Sequence, residues 1–198
     1  MMKVKNLARF ISWAFNALFV SLYVFLAVLL FGYGMPDWWV YFIVYLVFGF
    51  VGPALVIWRE FKLGRIPDFH VFDQKKRNRI FAYGGLSYLL GGVFLLNLKA
   101  PFLVTSLLLI YFVNTFFMFL INLKYKSSVH MIGTAGPLVV LYHVFGLAAL
   151  WLLPVVALVA WARYALKAHT GAQIALGTLL GFVLTWLELY YFFIPALG

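Results

Sequence analysis

Long apolar runs alternate with short polar breaks along this chain. The runs occupy about Phe10 to Phe31, Trp38 to Arg59, Ile80 to Asn97, Phe102 to Leu123 and Gly171 to Phe193, with a longer one between His130 and Arg163. Most reach the roughly 20 residues that a helix needs to cross a bilayer. They are continuous rather than alternating in ten-residue segments, so they predict helices and not a barrel. Thirty-two residues separate His130 from Arg163. As one helix they would extend roughly 48 Å at about 1.5 Å per residue, far beyond a hydrocarbon core of about 30 Å. The spacing therefore predicts a hairpin turning near His143 to Gly146, which returns Arg163 to the side of His130. Seven crossings result, or six if the glycine-rich run Ile80 to Asn97 is re-entrant.

Composition agrees with this pattern. Of 198 residues, 66% are hydrophobic and 10% charged, and the mean hydropathy is +1.03. The expected fold is all-α, a polytopic membrane helix bundle forming one integral membrane domain over 1–198. The first two helices fall in 1–60, a core with the candidate chemistry in 61–181, and the end of the last helix in 182–198. The first run follows Lys3, Lys5 and Arg9 and so resembles a signal peptide. It is too long and lacks a clear small-residue cleavage site, and it reads as a retained helix. Cysteine is absent, which excludes disulfides, thiol catalysis and thiolate metal sites.

The formal net charge is +10. Its lysines and arginines sit in short breaks between apolar runs, so membrane lipids and topology explain it better than nucleic acid. With seven crossings, the N-terminal basic residues, the polar stretch Glu60 to Arg79, Lys124, Lys126, Arg163 and Lys167 share one face, and Lys99 lies opposite. The positive-inside rule makes the basic face cytoplasmic.

Ionisable groups beside membrane segments are costly and mark candidate functional sites. Three clusters meet on the basic face. Arg163 precedes His169 by five intervening residues, and Gln173 follows four later. Lys126-Ser127-Ser128-Val129-His130 precedes the hairpin. The polar stretch carries His70, Asp73, Lys75, Lys76, Arg77 and Arg79. Arginine's planar fork grips phosphate oxygens with two bonds and stays charged. A histidine can attack phosphorus or move protons. On a helix, residues four apart share a face, so Gln173 can reach His169.

In order and spacing these clusters resemble the three signatures of the type 2 phosphatidic-acid phosphatases: K-x6-R-P, P-S-G-H and S-R-x5-H-x3-D. Arg77 matches the arginine of the first, with Asn78 at the proline and His70 at the lysine. Lys75 or Lys76 is the alternative source of that charge, and Arg79 the alternative arginine. Ser128 and His130 match the second, with Ser127 at the proline and Val129 at the glycine. Arg163 and His169 match the third, with Ala162 at the serine and Gln173 at the aspartate. The resemblance covers about Asp68 to Gly181.

The resemblance implies a lipid phosphate substrate, hydrolysed through a phosphohistidine without metal or cofactor. His169 would be the nucleophile. His130 would protonate the leaving alkoxide and then activate water. Gln173 would orient His169, with Asp68 or Asp73 as the alternative orienter. Arg77 and Arg163 would bind the phosphate, assisted by Lys126, Ser128 and a lysine of the first cluster. A lipid phosphotransferase is the nearest enzymatic alternative. A non-catalytic protein of the same fold that binds anionic lipid is the alternative from another class, favoured by the substitutions at Gln173, Val129 and Ser127. Lys167 reads as a topology signal that snorkels, and His143, at the far end of the hairpin, as structural. Glu188, deep in the last helix, is expected to hydrogen-bond between helices.

Overall fold

The computed structural model describes residues 2–33, 37–67 and 73–197, all helix, turn or loop. Its helices are α1 (Met2–Ala14), α2 (Ala17–Ala27), α3 (Trp38–Tyr45), α4 (Gly52–Lys62), α5 (Arg77–Asn97), α6 (Phe102–Asn122), α7 (Val129–Phe145), α8 (Leu153–Ala165), α9 (Gly171–Leu187) and α10 (Ile194–Leu197). Wider π turns extend α2 and join α3 to α4 and α9 to α10. Among the described residues, five helical stretches are long and apolar enough to cross a membrane. The protein is therefore an all-α bundle of integral-membrane character.

The longest of these stretches, Val129–Ala165, has 37 residues, and it is folded back on itself. Gly146 breaks it with φ +59, a left-handed conformation that glycine adopts without a Cβ clash. A seven-residue 3-10 turn, Gly146–Leu152, then leads into α8. Ser12 contacts both His130, at the start of α7, and Arg163, near the end of α8. A straight helix would hold those two residues roughly 50 Å apart. The hairpin expected from the arithmetic is present, turning where it was expected. The glycine-rich run forms one uninterrupted 21-residue helix, α5, so it is not re-entrant.

The first run differs from its expectation. It is not one helix from Phe10 but two, α1 and α2, bent by 50°. Asn16 causes the break. Its backbone is extended, and its side chain accepts from Leu18 N at 3.0 Å, capping α2 as a new helix. α1 buries Ala8, Ile11 and Ser12 and exposes Val4, Leu7, Phe10 and Trp13. With Lys3, Lys5 and Arg9 it has the make-up of a helix lying in the membrane interface.

Two sets of contacts pack the bundle. α7 and α9 approach closely because α9 carries Gly177 and Gly181. A Cβ at Gly177 would sit 2.7 Å from Ser128 O, and one at Gly181 3.0 Å from Gly136 N. Small residues four apart permit such backbone approach between membrane helices. In the bundle's middle, Phe25 stacks on Tyr45 at 3.9 Å, and Tyr45 OH donates to Ser21 Oγ at 2.6 Å.

Two further expectations meet specific surroundings. His143 lies edge-on to Phe102 and Tyr190, as a structural residue would. Glu188 was expected to bridge helices, but both its carboxylate oxygens are buried with no hydrogen-bond partner. The π turn that starts at Glu188 shifts the register of the helix there, which a regular helical reading does not anticipate.

Candidate anion site at the basic end of the bundle

Each candidate residue is held by a short local device. α9 opens with a capping box: Thr170 Oγ1 accepts from Gln173 N at 3.3 Å, and Gln173 Oε1 accepts from Thr170 N at 3.2 Å. This satisfies two otherwise unpaired helix-end donors. The same Gln173 Oε1 lies 3.2 Å from His169 Nδ1. An amide oxygen only accepts, so His169 carries its proton on Nδ1 and leaves the Nε2 lone pair available. Gln173 thus fixes the tautomer of His169 while capping α9. Glutamine or glutamate is the residue a capping box selects at this position, and Gln173 supplies it.

Ser128, in the middle of the second cluster, is extended and forms the N-cap of α7. Its backbone N–H donates to Gln173 O at 3.3 Å, tying the second cluster to the third. Its Oγ is buried with no hydrogen-bond partner, as is Ser127 Oγ. Arg77 Nη1 donates to Ser127 O at 3.2 Å, which ties the first cluster to the second. Lys126 Nζ donates to Ala168 O at 3.3 Å.

The loop before α5 is clamped by amides that the sequence reading passed over. Gln74 Nε2 donates to Asn122 O at 2.6 Å, and Asn122 Nδ2 donates to Gln74 O at 2.8 Å and to Asn78 Oδ1 at 2.7 Å. Asn78 thereby ties the start of α5 to the end of α6 by hydrogen bonding.

Arg77, His130 and His169 line one cavity of about 130 Å³. The rest of its wall is largely apolar, including Leu18, Pro53, Ile57, Ile80, Phe81 and Val129. Arg163 lies beside it, 1% exposed, with Nη1 donating to Ser12 Oγ at 2.6 Å. Ser12 is the main residue that sequence reasoning missed. Its signal was a polar side chain on the Ala8–Ile11 side of an amphipathic helix, and reading that run as a transmembrane span hid it.

The remaining candidates are placed less centrally. Lys75 and Lys76 are exposed. Arg79 Nη1 lies 3.8 Å from Glu60 Oε2, and the buried Glu60 also pairs with Arg65 at 3.0 Å. Asp73 is exposed and accepts from Lys75 N at 3.0 Å. His70 and Asp68 lie outside the described residues. Among those described, no cluster of three or more His, Asp or Glu side chains is assembled to hold a metal.

Cationic side chains and burial dominate the electrostatics of this end of the bundle. Burial, then the charges of Arg163 and Arg77, hold the His169 imidazole well below the usual histidine range, at about 3, with Lys126 adding and the Gln173 hydrogen bond opposing. Burial, then Arg77 and Arg163, push the Lys126 ammonium down too, against Asp73. Two arginines and a lysine thus surround one neutral, oriented histidine. No family model, curated protein or solved structure matches the chain.

Proposed function

We propose that this protein is a membrane-embedded phosphatase acting on a lipid phosphate. The carrying observation is that neutral His169, oriented by Gln173, faces the same cavity as Arg77 and His130, whose remaining wall is largely apolar. A phosphate ester would place its charged group among Arg77, Arg163 and Lys126 and its apolar chain over Phe81 and Ile80. The His169 Nε2 lone pair attacks phosphorus as the P–O ester bond breaks. The leaving alkoxide takes its proton from His130, and the phosphoryl group remains on Nε2. Water then attacks phosphorus, giving a proton to His130, and the P–N bond breaks to free inorganic phosphate and His169. Arg77 and Arg163 neutralise the charge on the non-bridging oxygens, the main requirement in phosphoryl transfer. A carboxylate at position 173 would make His169 easier to protonate. A neutral orienter keeps it nucleophilic to lower pH, at the cost of less support for the developing imidazolium.

The basic end is proposed to face the cytoplasm, from the bias of lysine and arginine toward it. The test is phosphate release from a panel of lipid phosphates by the purified protein in detergent micelles. Release that is lost in His169→Ala supports the reading. A second reading, an anionic-lipid binding protein without turnover, is favoured by the neutral Gln173 and by Ser12 engaging His130 and Arg163. It would be supported by tight binding of the panel with no release.

A further inference from the structure

Ser12 makes the contacts expected of a ligand. Its Oγ accepts from Arg163 Nη1 at 2.6 Å and lies 3.4 Å from His130 Nε2. Its carbonyl oxygen lies 3.1 Å from the same nitrogen, so the Nε2–H of His130 points at Ser12. These are two of the donors that the phosphatase reading assigns to a phosphate oxygen and to the leaving group. A phosphate oxygen is a stronger acceptor than either Ser12 oxygen, because it is charged.

We propose that α1 is a gate on this site: with no ligand bound, Ser12 occupies the place of a phosphate oxygen, and α1 swings away at residues 15–16 when phosphate takes over Arg163 and His130. The proposal rests on the phosphate-site reading above and specifies its regulation. Three features of the fold allow the motion. The chain bends by 50° at the hinge, and Asn16 caps α2 from its own side of the break, so α2 keeps its start when α1 leaves. Asn16, Ala17 and Leu18 line the cavity itself, so the hinge borders the space that phosphate enters. Arg163 is 1% exposed behind Ser12, whereas Arg77, His130 and His169 line the cavity. Opening the gate brings in the second arginine.

The outer face of α1 explains why opening is tolerated. Val4, Leu7, Phe10 and Trp13 are exposed in the docked state and suit the membrane interface. A helix that slides within the interface keeps that face in lipid. Ser12 is also suited to its role, since a neutral hydroxyl holds the two donors but yields to a dianion, where a carboxylate would not.

The chain has no cysteine, so Ser12→Cys, nearly isosteric, gives a single reporter. The experiment measures modification of that thiol by N-ethylmaleimide in the purified full chain, with and without tungstate as phosphate mimic. Calorimetry measures tungstate binding to the wild type and to Ser12→Ala. Modification is expected to be slow without tungstate and to quicken about fivefold or more at saturation, as the population shifts to the open state. If the closed state holds about 90% of the molecules, removing the competing hydroxyl tightens tungstate binding up to about tenfold. Unchanged or slower modification on binding overturns the gate while leaving the phosphate site intact. Weaker tungstate binding by Ser12→Ala does the same, making Ser12 a fixed positioning residue. Absence of tungstate binding in both proteins overturns the phosphate-site reading, and the gate with it.

Discussion

Gln173→Glu tests the orienting pair directly. Glutamate keeps the length of glutamine and remains a capping-box residue, and a negative charge in the first turn of α9 suits the helix dipole. The change is therefore close to electrostatic. The accepting oxygen lies 3.2 Å from His169 Nδ1. Opposite charges about 4 Å apart attract by roughly 4 kcal/mol at an effective dielectric of about 20. At about 1.4 kcal/mol per pKa unit this sets an upper bound of roughly three units. Position 173 is only half-buried, and solvent screening reduces the expected shift to about one to two units. The sign is upward, because an anion favours the imidazolium. His169 in the wild type is held at about 3, so it stays neutral and able to attack far below pH 6. In Gln173→Glu the fraction able to attack falls at higher pH. The assay is kcat/KM against pH on a lipid phosphate, which reports groups of the free enzyme. The acidic limb is expected to move up by about one to two units, with equal or higher kcat at neutral pH from better support of the developing imidazolium. Gln173→Asp, one methylene shorter, is expected to fall below Gln173→Glu because its reach to Thr170 N is lost. An acidic limb that stays put, or moves down, would refute the pairing.

Three other outcomes follow from the packing and the charge pattern. Gly84 lines the cavity, and a Cβ there would meet only Pro53 Cβ, at 3.8 Å. Gly84→Val is therefore expected to fold, to keep tungstate affinity and to lose turnover of long-chain lipid phosphates, read by paired calorimetry and phosphate release; equal loss with short-chain substrates would contradict an apolar slot. Gly177→Ala would press a methyl to 2.7 Å from Ser128 O, and is expected to cost about 1–3 kcal/mol, seen as a lower midpoint of thermal unfolding in detergent. A cysteine replacing exposed Lys75 is expected to react with a membrane-impermeant thiol reagent only from the cytoplasmic side, and labelling of intact cells from outside would reverse the orientation.

The helical architecture was legible because apolar runs of membrane length leave few alternatives, and the hairpin because the thirty-two residues between His130 and Arg163 are too many to cross once. The bend at Asn16 was hidden by averaging, since the apolar run continues across it while one amide side chain redirects the backbone. The candidate site was legible where chemistry-bearing residues sit at fixed spacings: Arg163, His169 and Gln173 are joined by local geometry of loop and helix start. What spacing does not carry is the partner brought in from far along the chain. Asn122 reaches the loop before α5 across 48 residues, and Ser12 reaches Arg163 across 151. Neither residue type is unusual in its own segment, and only the packed bundle gives each its role. Arg79 shows the converse: its place two residues after Arg77 made it the alternative arginine, and those two positions along α5 set its guanidinium 3.8 Å from Glu60.

The central claim is that His169 receives a phosphoryl group. The direct measurement is rapid quenching of the protein with a lipid phosphate carrying radiolabelled phosphorus, followed by peptide mass spectrometry. An alkali-stable, acid-labile phosphoryl group is expected on His169, formed before phosphate is released and absent in His169→Ala. Phosphate release at the wild-type rate by His169→Ala, or a phosphoryl group carried on another residue, would contradict it.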